Sequence, residues 1–331
     1  MIVWSRLIIS SAFDVLRYHC LKFISLNKNF LLSLIMIIFG YTMCAQNYLD
    51  LVQASYIHTP LNRFDTSLSN TRVQDVVFNS TLPIKLNART AIVTGLDMDR
   101  MHLRLTPSGE VSHVSAMMLK VGVNHQFSEK WSGNFVALPR LASDFRGELI
   151  GHDFQLGGLV LLKYTKRSNF KYKVGFYANS ELFGPFCTPI VGLYYKSPND
   201  KFELDLSLPL IGDLNYRFYE KVFGGMRFQG FVRSYHLHDS HYLSQPEYLT
   251  KTTNELYTYL GVEPIKGLLI KANLGYSIGR HYRIYNIEDQ IDLGVSAFRF
   301  GDDRKQLNAD FADGLLFRID CVFRLYLADS E

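Results

Sequence analysis

The residues most able to do chemistry are three histidines, His236, His238 and His241, in the stretch Tyr235–Tyr242. In an extended strand, positions i and i+2 share a face. His236 and His238 would then present two imidazoles side by side with Asp239 next to them, a donor set suited to zinc or copper. A lone His-x-His without a second ligand cluster is a thin basis for a metal centre, because structural zinc sites draw on four donors. The stretch therefore reads as a solvated loop rim, and neither metal nor cofactor is expected. Ser277, Gly279 and His281 stand at alternate positions near a strand end. A rim hydrolase would need its serine beside a base, and that base oriented by a third group. No flanking motif supplies one, so no catalytic residue is assigned and the protein reads as a non-enzyme. Gly-rich phosphate loops, paired catalytic carboxylates and Cys-x-x-Cys spacings are absent from the chain.

Composition narrows the class further. The chain has 331 residues, 47% of them hydrophobic and 20% charged. That is enough apolar surface to exclude disorder. Mean hydropathy is zero, and one long uncharged apolar run, around Phe30–Phe39, falls far short of a bundle of ~20-residue spans. Four cysteines in this length exclude a small disulfide scaffold. The run after Lys28, ending Met43-Cys44-Ala45-Gln46, has the charge, short apolar core and small terminal residue of a secretory signal. Cleavage is expected between Ala45 and Gln46, with residues 1–27 an unexplained upstream extension. Residues 1–45 carry Arg6, Arg17, Lys22, Lys28 and the acid Asp14; removing them leaves 31 basic residues against 30 acidic. With no basic excess to neutralise phosphates, nucleic acid is excluded as a partner. Cys187 and Cys321 remain, and an exported location permits but does not imply a disulfide.

The mature chain alternates with period two. In Phe202–Leu208 even positions are apolar and odd positions polar; 315–325 and 268–278 do the same. That is the pattern of half-buried strands. Strands are expected at 47–59, 72–84, 88–105, 113–126, 131–142, 151–165, 170–181, 188–197, 201–209, 211–218, 222–237, 253–263, 268–283 and 314–327. Fourteen is favoured, with twelve the alternative if the break at Pro209–Gly212 fails. Short turns fall near 84–87, 128–130, 166–169, 197–200, 219–221 and 263–267. Longer connections fall at 60–71, 106–112, 143–150, 182–187, 238–252 and 284–313. Short turns at one end, long loops at the other and an even count describe an antiparallel transmembrane β-barrel of 12–14 strands over residues 46–331, with short periplasmic turns and longer outer loops. Its strands match the lengths needed to cross an apolar band, and Tyr164, Phe170, Phe202, Phe218, Tyr276, Tyr282 and Tyr326 are placed for interfacial girdles.

Several motifs recur. Phe127-Ser128-Glu129-Lys130-Trp131 is echoed by Phe218-Tyr219-Glu220-Lys221. Leu-Pro appears at Leu82-Pro83, Leu138-Pro139 and Leu208-Pro209, and the chain closes on Phe323-Arg324-Leu325-Tyr326. With the Ala45-Gln46 signal ending, residues 46–327 resemble Bacteroidota-type outer-membrane β-barrels, in particular a family of unknown function. The resemblance implies an outer-membrane location, contact with outer-membrane lipids, insertion by the barrel assembly machinery, and no transferable catalytic residues.

Alternation also sorts the charges. With the apolar face toward lipid, the lumen receives Lys120, Lys163, Lys171, Lys173, Arg217, Arg227, Arg233, Lys271, Arg318 and Arg324. It also receives Asp153, Glu203, Asp205, Glu263 and Asp320. An open lumen with this excess would concentrate small anions. Charges that pair with one another would instead plug it. The sequence thus points to passive passage or binding of a small solute, and, in a second class, to a closed barrel presenting its outer loops. A barrel enzyme acting on lipid is the third and least supported reading.

Overall fold

The computed structural model describes residues 48–63, 70–105, 111–238, 241–242 and 245–327. The expected signal segment, its cleavage site and Asp239 lie outside these residues. Seventeen strand segments follow in chain order: β1 (Tyr48–Arg63), β2 (Asn70–Ser80), β3 (Leu82–Lys85), β4 (Thr90–Arg104), β5 (Val111–Gln126), β6 (Trp131–Ser143), β7 (Phe154–Arg167), β8 (Phe170–Glu181), β9 (Gly184–Lys196), β10 (Phe202–Leu208), β11 (Ile211–Tyr219), β12 (Val222–Leu237), β13 (Glu247–Ile265), β14 (Leu268–Asn286), β15 (Leu293–Val295), β16 (Phe298–Phe300) and β17 (Leu315–Tyr326). β2 and β3 both pair with β4 and make one stave interrupted at Thr81, while β15 and β16 form a hairpin within the last long loop. The wall is therefore fourteen antiparallel staves. It closes where β17 meets β1 through pairs such as Asp320↔Ser55 and Arg318↔Ile57. Closure pairs the staves around the wall, the condition a β-structure must meet to stand in hydrocarbon.

The break at Pro209–Gly212 holds. β10 and β11 are separate staves in register at Leu204↔Leu214, so the favoured count of fourteen stands. The contrast between turns and loops is less complete than the sequence suggests. The connection placed at 182–187 is only Leu182-Phe183, because β9 starts at Gly184, and β10 reaches β11 through Pro209-Leu210.

The outer surface is apolar. Ile319 is 57% exposed, and Phe323, Ile270, Leu274 and Val191 are exposed with it, while alternate neighbours such as Leu269, Val322 and Leu316 are buried. At the short-turn end an aromatic chain runs Phe170–Tyr195–Phe202, with Trp131 against Tyr164 nearby. Amphipathic rings suit that level of a bilayer. Two expected girdle members do otherwise. Tyr326 donates its hydroxyl to Glu263 at 2.7 Å, and Tyr282 is buried. Tyr282 turns in because of a bulge. The β13–β14 register shifts between Thr252↔His281 and Asn254↔Ile278, with Gly279 at φ +64°. One extra residue exchanges the two faces of a strand, and glycine adopts the left-handed conformation it needs without steric cost.

The barrel does not stay cylindrical. β11 leaves β12 at Ile211↔Gln229, yet β12 runs on beside β13 to Leu237↔Glu247. Its outer end reaches β6, across the five staves that separate the two around the wall. His236 pairs with Ser143, and the Asp144 amide donates to the His236 carbonyl at 3.0 Å. The outer end of β12 thus crosses the mouth of the barrel, with β13 paired to it. Ser234 anchors the crossing. It accepts the Leu182 amide at 2.8 Å and donates its hydroxyl to Glu181 at 2.6 Å. Apolar side chains fill the space on either side. One cluster includes Met101, Leu103, Val114, Tyr235, Leu237 and Phe311. The other includes Tyr177, Phe183, Phe186, Ile190, Tyr248 and Ile291.

This departure leaves a notch in the wall. β10 is short, and its pairing with β9 ends at Leu208↔Val191. Beyond that point β9 pairs in parallel with the loop hairpin, Gly294↔Phe186 and Val295↔Cys187. The Ser296 amide donates to the Cys187 carbonyl at 2.9 Å, and the Ile291 amide to Phe183 at 2.7 Å. The hairpin turns Phe298 (68% exposed) and Phe300 (54%) outward.

Candidate functional site: the lumen and its long-loop rim

Period-two alternation directs one face of each stave inward, so the register determines which charges meet. Arg318 and Asp320 lie on one stave with Nε and Oδ1 2.7 Å apart. Asp320 is fully buried. It accepts further bonds from Ser55 (2.6 Å), Gln53 (3.0 Å) and Asn273 (3.0 Å), and Arg318 also donates to Ser55 at 3.0 Å. Arg324 forks onto both oxygens of Asp50 at 2.6 and 3.0 Å and covers the Tyr48 ring, whose hydroxyl donates to Glu203 at 2.7 Å. Arg217 pairs with Glu263 at 3.2 Å, Lys120 with Asp97 at 2.6 Å, and Lys173 with Asp205.

Other basic side chains are placed differently. Arg227 Nε is buried with no hydrogen-bond partner. Lys271 sits over the Tyr259 ring at 5.0 Å. Arg233 donates to the Tyr177 hydroxyl at 3.1 Å. Lys163 stands opposite Lys173 across the β7–β8 pair, and Lys171 is buried opposite Tyr194.

Sequence reasoning also missed several inward acids. Asp75 accepts from Lys251 at 2.7 Å, Asp99 from Tyr235 at 2.8 Å and Asp213 from Tyr259 at 2.8 Å. Glu181 lies 3.8 Å from Arg140, and Glu255 accepts from Tyr257 at 2.7 Å. The β4 signal was present but mixed. Its inward positions run Asp97, Asp99, Met101, Leu103, so one face changes from acidic to apolar where the stave enters the filled mouth. Asp50 is inward because the β1 register shifts between Asp50 and Val52.

At the long-loop end the histidines separate. His236 is 1% exposed, not part of a solvated rim; the inward crossing of β12 buries it under loop 144–153. Its Nδ1 is 2.9 Å from Asp153 Oδ1. His238 Nδ1 is 2.9 Å from Asp144 Oδ1, and its Nε2 is 3.0 Å from the Glu148 carbonyl. Asp153 is on the single turn Gly151–Asp153 that leads into β7, not on a stave as expected. Burial works to raise the Asp153 pKa, but the Ile150 amide and His236 outweigh it and hold the carboxyl below its usual range. Burial works to lower that of His238, but the Glu148 carbonyl and Asp144 carboxylate leave it raised. His241 lies apart, 3.0 Å from the Ser112 hydroxyl. Ser277 and His281 do not meet. Ser277 is buried against Gly314, and the Gly279 bulge sends His281 to the other face, beside Asp310 at 3.4 Å.

A closed fourteen-stave antiparallel wall with an apolar exterior and a polar, charge-bearing lumen defines a transmembrane β-barrel of the outer-membrane type. The chain belongs to the DUF6268 family, a domain of unknown function, whose profile matches residues 66–289. Among curated proteins none matches significantly. Its fold is similar to that of the COG4313 outer membrane channel from Pseudomonas putida F1 (7% identity, 84% of this chain and 95% of that one, TM-score 0.41). It is also similar to the Pseudomonas putida toluene transporter TodX (9%, 84% and 89%, TM-score 0.37) and to the translocator domain of autotransporter NalP from Neisseria meningitidis (10%, 96% and 98%, TM-score 0.33).

Proposed function

We propose that this is an outer-membrane barrel, exported by a signal ending at Ala45, that passes or binds a small, predominantly apolar solute, and that the structure is its closed state. One observation carries the reading. The notch beside β9 is filled by the hairpin β15–β16, a piece of loop that can be withdrawn without unpairing any two staves. Behind it lies the aromatic cluster of Tyr177, Phe183, Phe186 and Tyr248. Apolar enclosures with a few polar groups are the common form of small-molecule sites, and an apolar entrant here would not displace the paired ions deeper in the lumen. Passage of a small anion is the second reading, favoured by Arg227 and Lys271, which have no ion pair among the described residues.

Tethering the hairpin tests this. Cys187 is a free thiol opposite Val295. In a Cys321→Ser background, Val295→Cys gives a pair that an oxidant can close. Uptake of a small aromatic fluorophore into proteoliposomes is expected to fall at least tenfold on oxidation and to return with reductant. Equal uptake in both states removes the hairpin from the route. No uptake and no binding in either state favours the closed barrel that presents its loops.

A further inference from the structure

We propose that Asp153, His236 and His238 form a binding site for a divalent transition metal of the zinc type, which clasps loop 144–153 to the inward-crossing end of β12. One ligating atom from each of the three side chains lies within 4.8 Å of the other two. Two imidazoles and a carboxylate are an intermediate N/O donor set, suited to zinc-type ions and poorly suited to calcium or magnesium, which take oxygen ligands.

His236 meets the cluster through Nδ1, 2.9 Å from Asp153 Oδ1, and its ring is almost completely enclosed. An ion held between the two would take the place of that hydrogen bond, and Nε2, on the far side of the ring, would carry the proton.

The surrounding groups have the arrangement of an outer shell. Ligating histidines commonly hold a carboxylate on their other ring nitrogen, which sets the tautomer and aims the lone pair. Asp144 does this for His238 through Nδ1, leaving Nε2 facing Asp153 Oδ2 at 3.7 Å. Asp144 is itself held, accepting from the His238 and Arg146 amides at 3.1 and 3.2 Å. Metal binding would replace the His238 Nε2 contact with the Glu148 carbonyl. Asp153 accepts the Ile150 amide at 2.7 Å, which fixes the carboxylate in place. Three protein donors leave a coordination position for water.

Placement gives the site its consequence. His236 and His238 close the outer end of β12, and Asp153 and Asp144 bound the loop between β6 and β7. An ion shared between them would bind to the folded mouth and not to the unfolded chain, and so would stabilise the inward crossing.

The test uses the full-length folded protein in detergent, stripped with a chelator and titrated with zinc ion alone. One zinc per barrel is expected by calorimetry and elemental analysis. Substituting cobalt should give visible absorption bands of a low-symmetry, four-coordinate ion. His238→Ala and His236→Ala should each weaken binding at least tenfold and remove those bands. Asp144→Asn should weaken it by about 10–100-fold, as outer-shell changes do. His241→Ala should change nothing. Heat-modifiable migration on gels shows that each variant is folded. His238, partly exposed, is the variant least exposed to folding failure. A folded wild-type barrel that takes up no stoichiometric zinc, or a folded His238→Ala variant that binds it as well as wild type, overturns the proposal.

Discussion

Replacing Asp320 with alanine is expected to cost the barrel about 3–5 kcal/mol, the range for removing one partner of a buried ion pair. Asp320 is fully buried and receives Arg318, Ser55, Gln53 and Asn273. Without it, Arg318 remains buried, its guanidinium left with the Ser55 hydroxyl. The cost comes mainly from that uncompensated cation, not from the lost attraction. Pairing the change with Arg318→Met should therefore recover much of the stability, since matched apolar replacement of a buried pair is often nearly neutral. Urea unfolding from lipid vesicles, followed by tryptophan fluorescence and heat-modifiable migration, measures both. A single variant that unfolds like wild type would show that water reaches this network in the folded barrel.

Arginine at Ile319, one residue away, should cost about 2–4 kcal/mol for a different reason. Ile319 points out of the wall, 57% exposed, so its replacement meets acyl chains at the level where a charge is least tolerated. Leu206→Arg should behave alike, and Ser207→Arg, on the inner face, should be milder. Equal losses at Leu206 and Ser207 would mean that the two faces are exchanged. Asp320 is not the mild inner position that alternation alone implies. Arginine there would set two guanidiniums together in the densest part of the ion network, so both adjacent positions are expected to be intolerant, one through lipid and one through charge.

Much of the wall was legible because it depends on local chemistry. A strand's side chains alternate whatever it pairs with, so 202–208, 268–278 and 315–325 announced both their conformation and their apolar face. Short polar turns announced the reversals between them. The break at Pro209–Gly212 was legible for the same reason: proline offers no ladder donor.

Other features depended on more than local pattern. Phe300 and its hairpin were written as loop, since three-residue strands carry too little alternation to be distinguished from a connection. The notch they fill exists only because β12 departs from β11. Bulges hid Asp50 and Tyr282, because one inserted residue reverses the inward sequence of everything beyond it.

The sequence by itself determined an antiparallel barrel, its favoured stave number and the inward side of regularly alternating stretches such as 202–208, 268–278 and 315–325. Backbone alternation and turn chemistry act over a few residues and leave a periodic trace. Only the tertiary structure decided that Arg318 and Asp320 meet Ser55, that Arg227 forms no ion pair among the described residues, and that His236 and His238 join Asp153 while His241 does not. Those meetings join residues tens to hundreds of positions apart, through a register and an inward crossing set by the whole closed wall, and no local period encodes them.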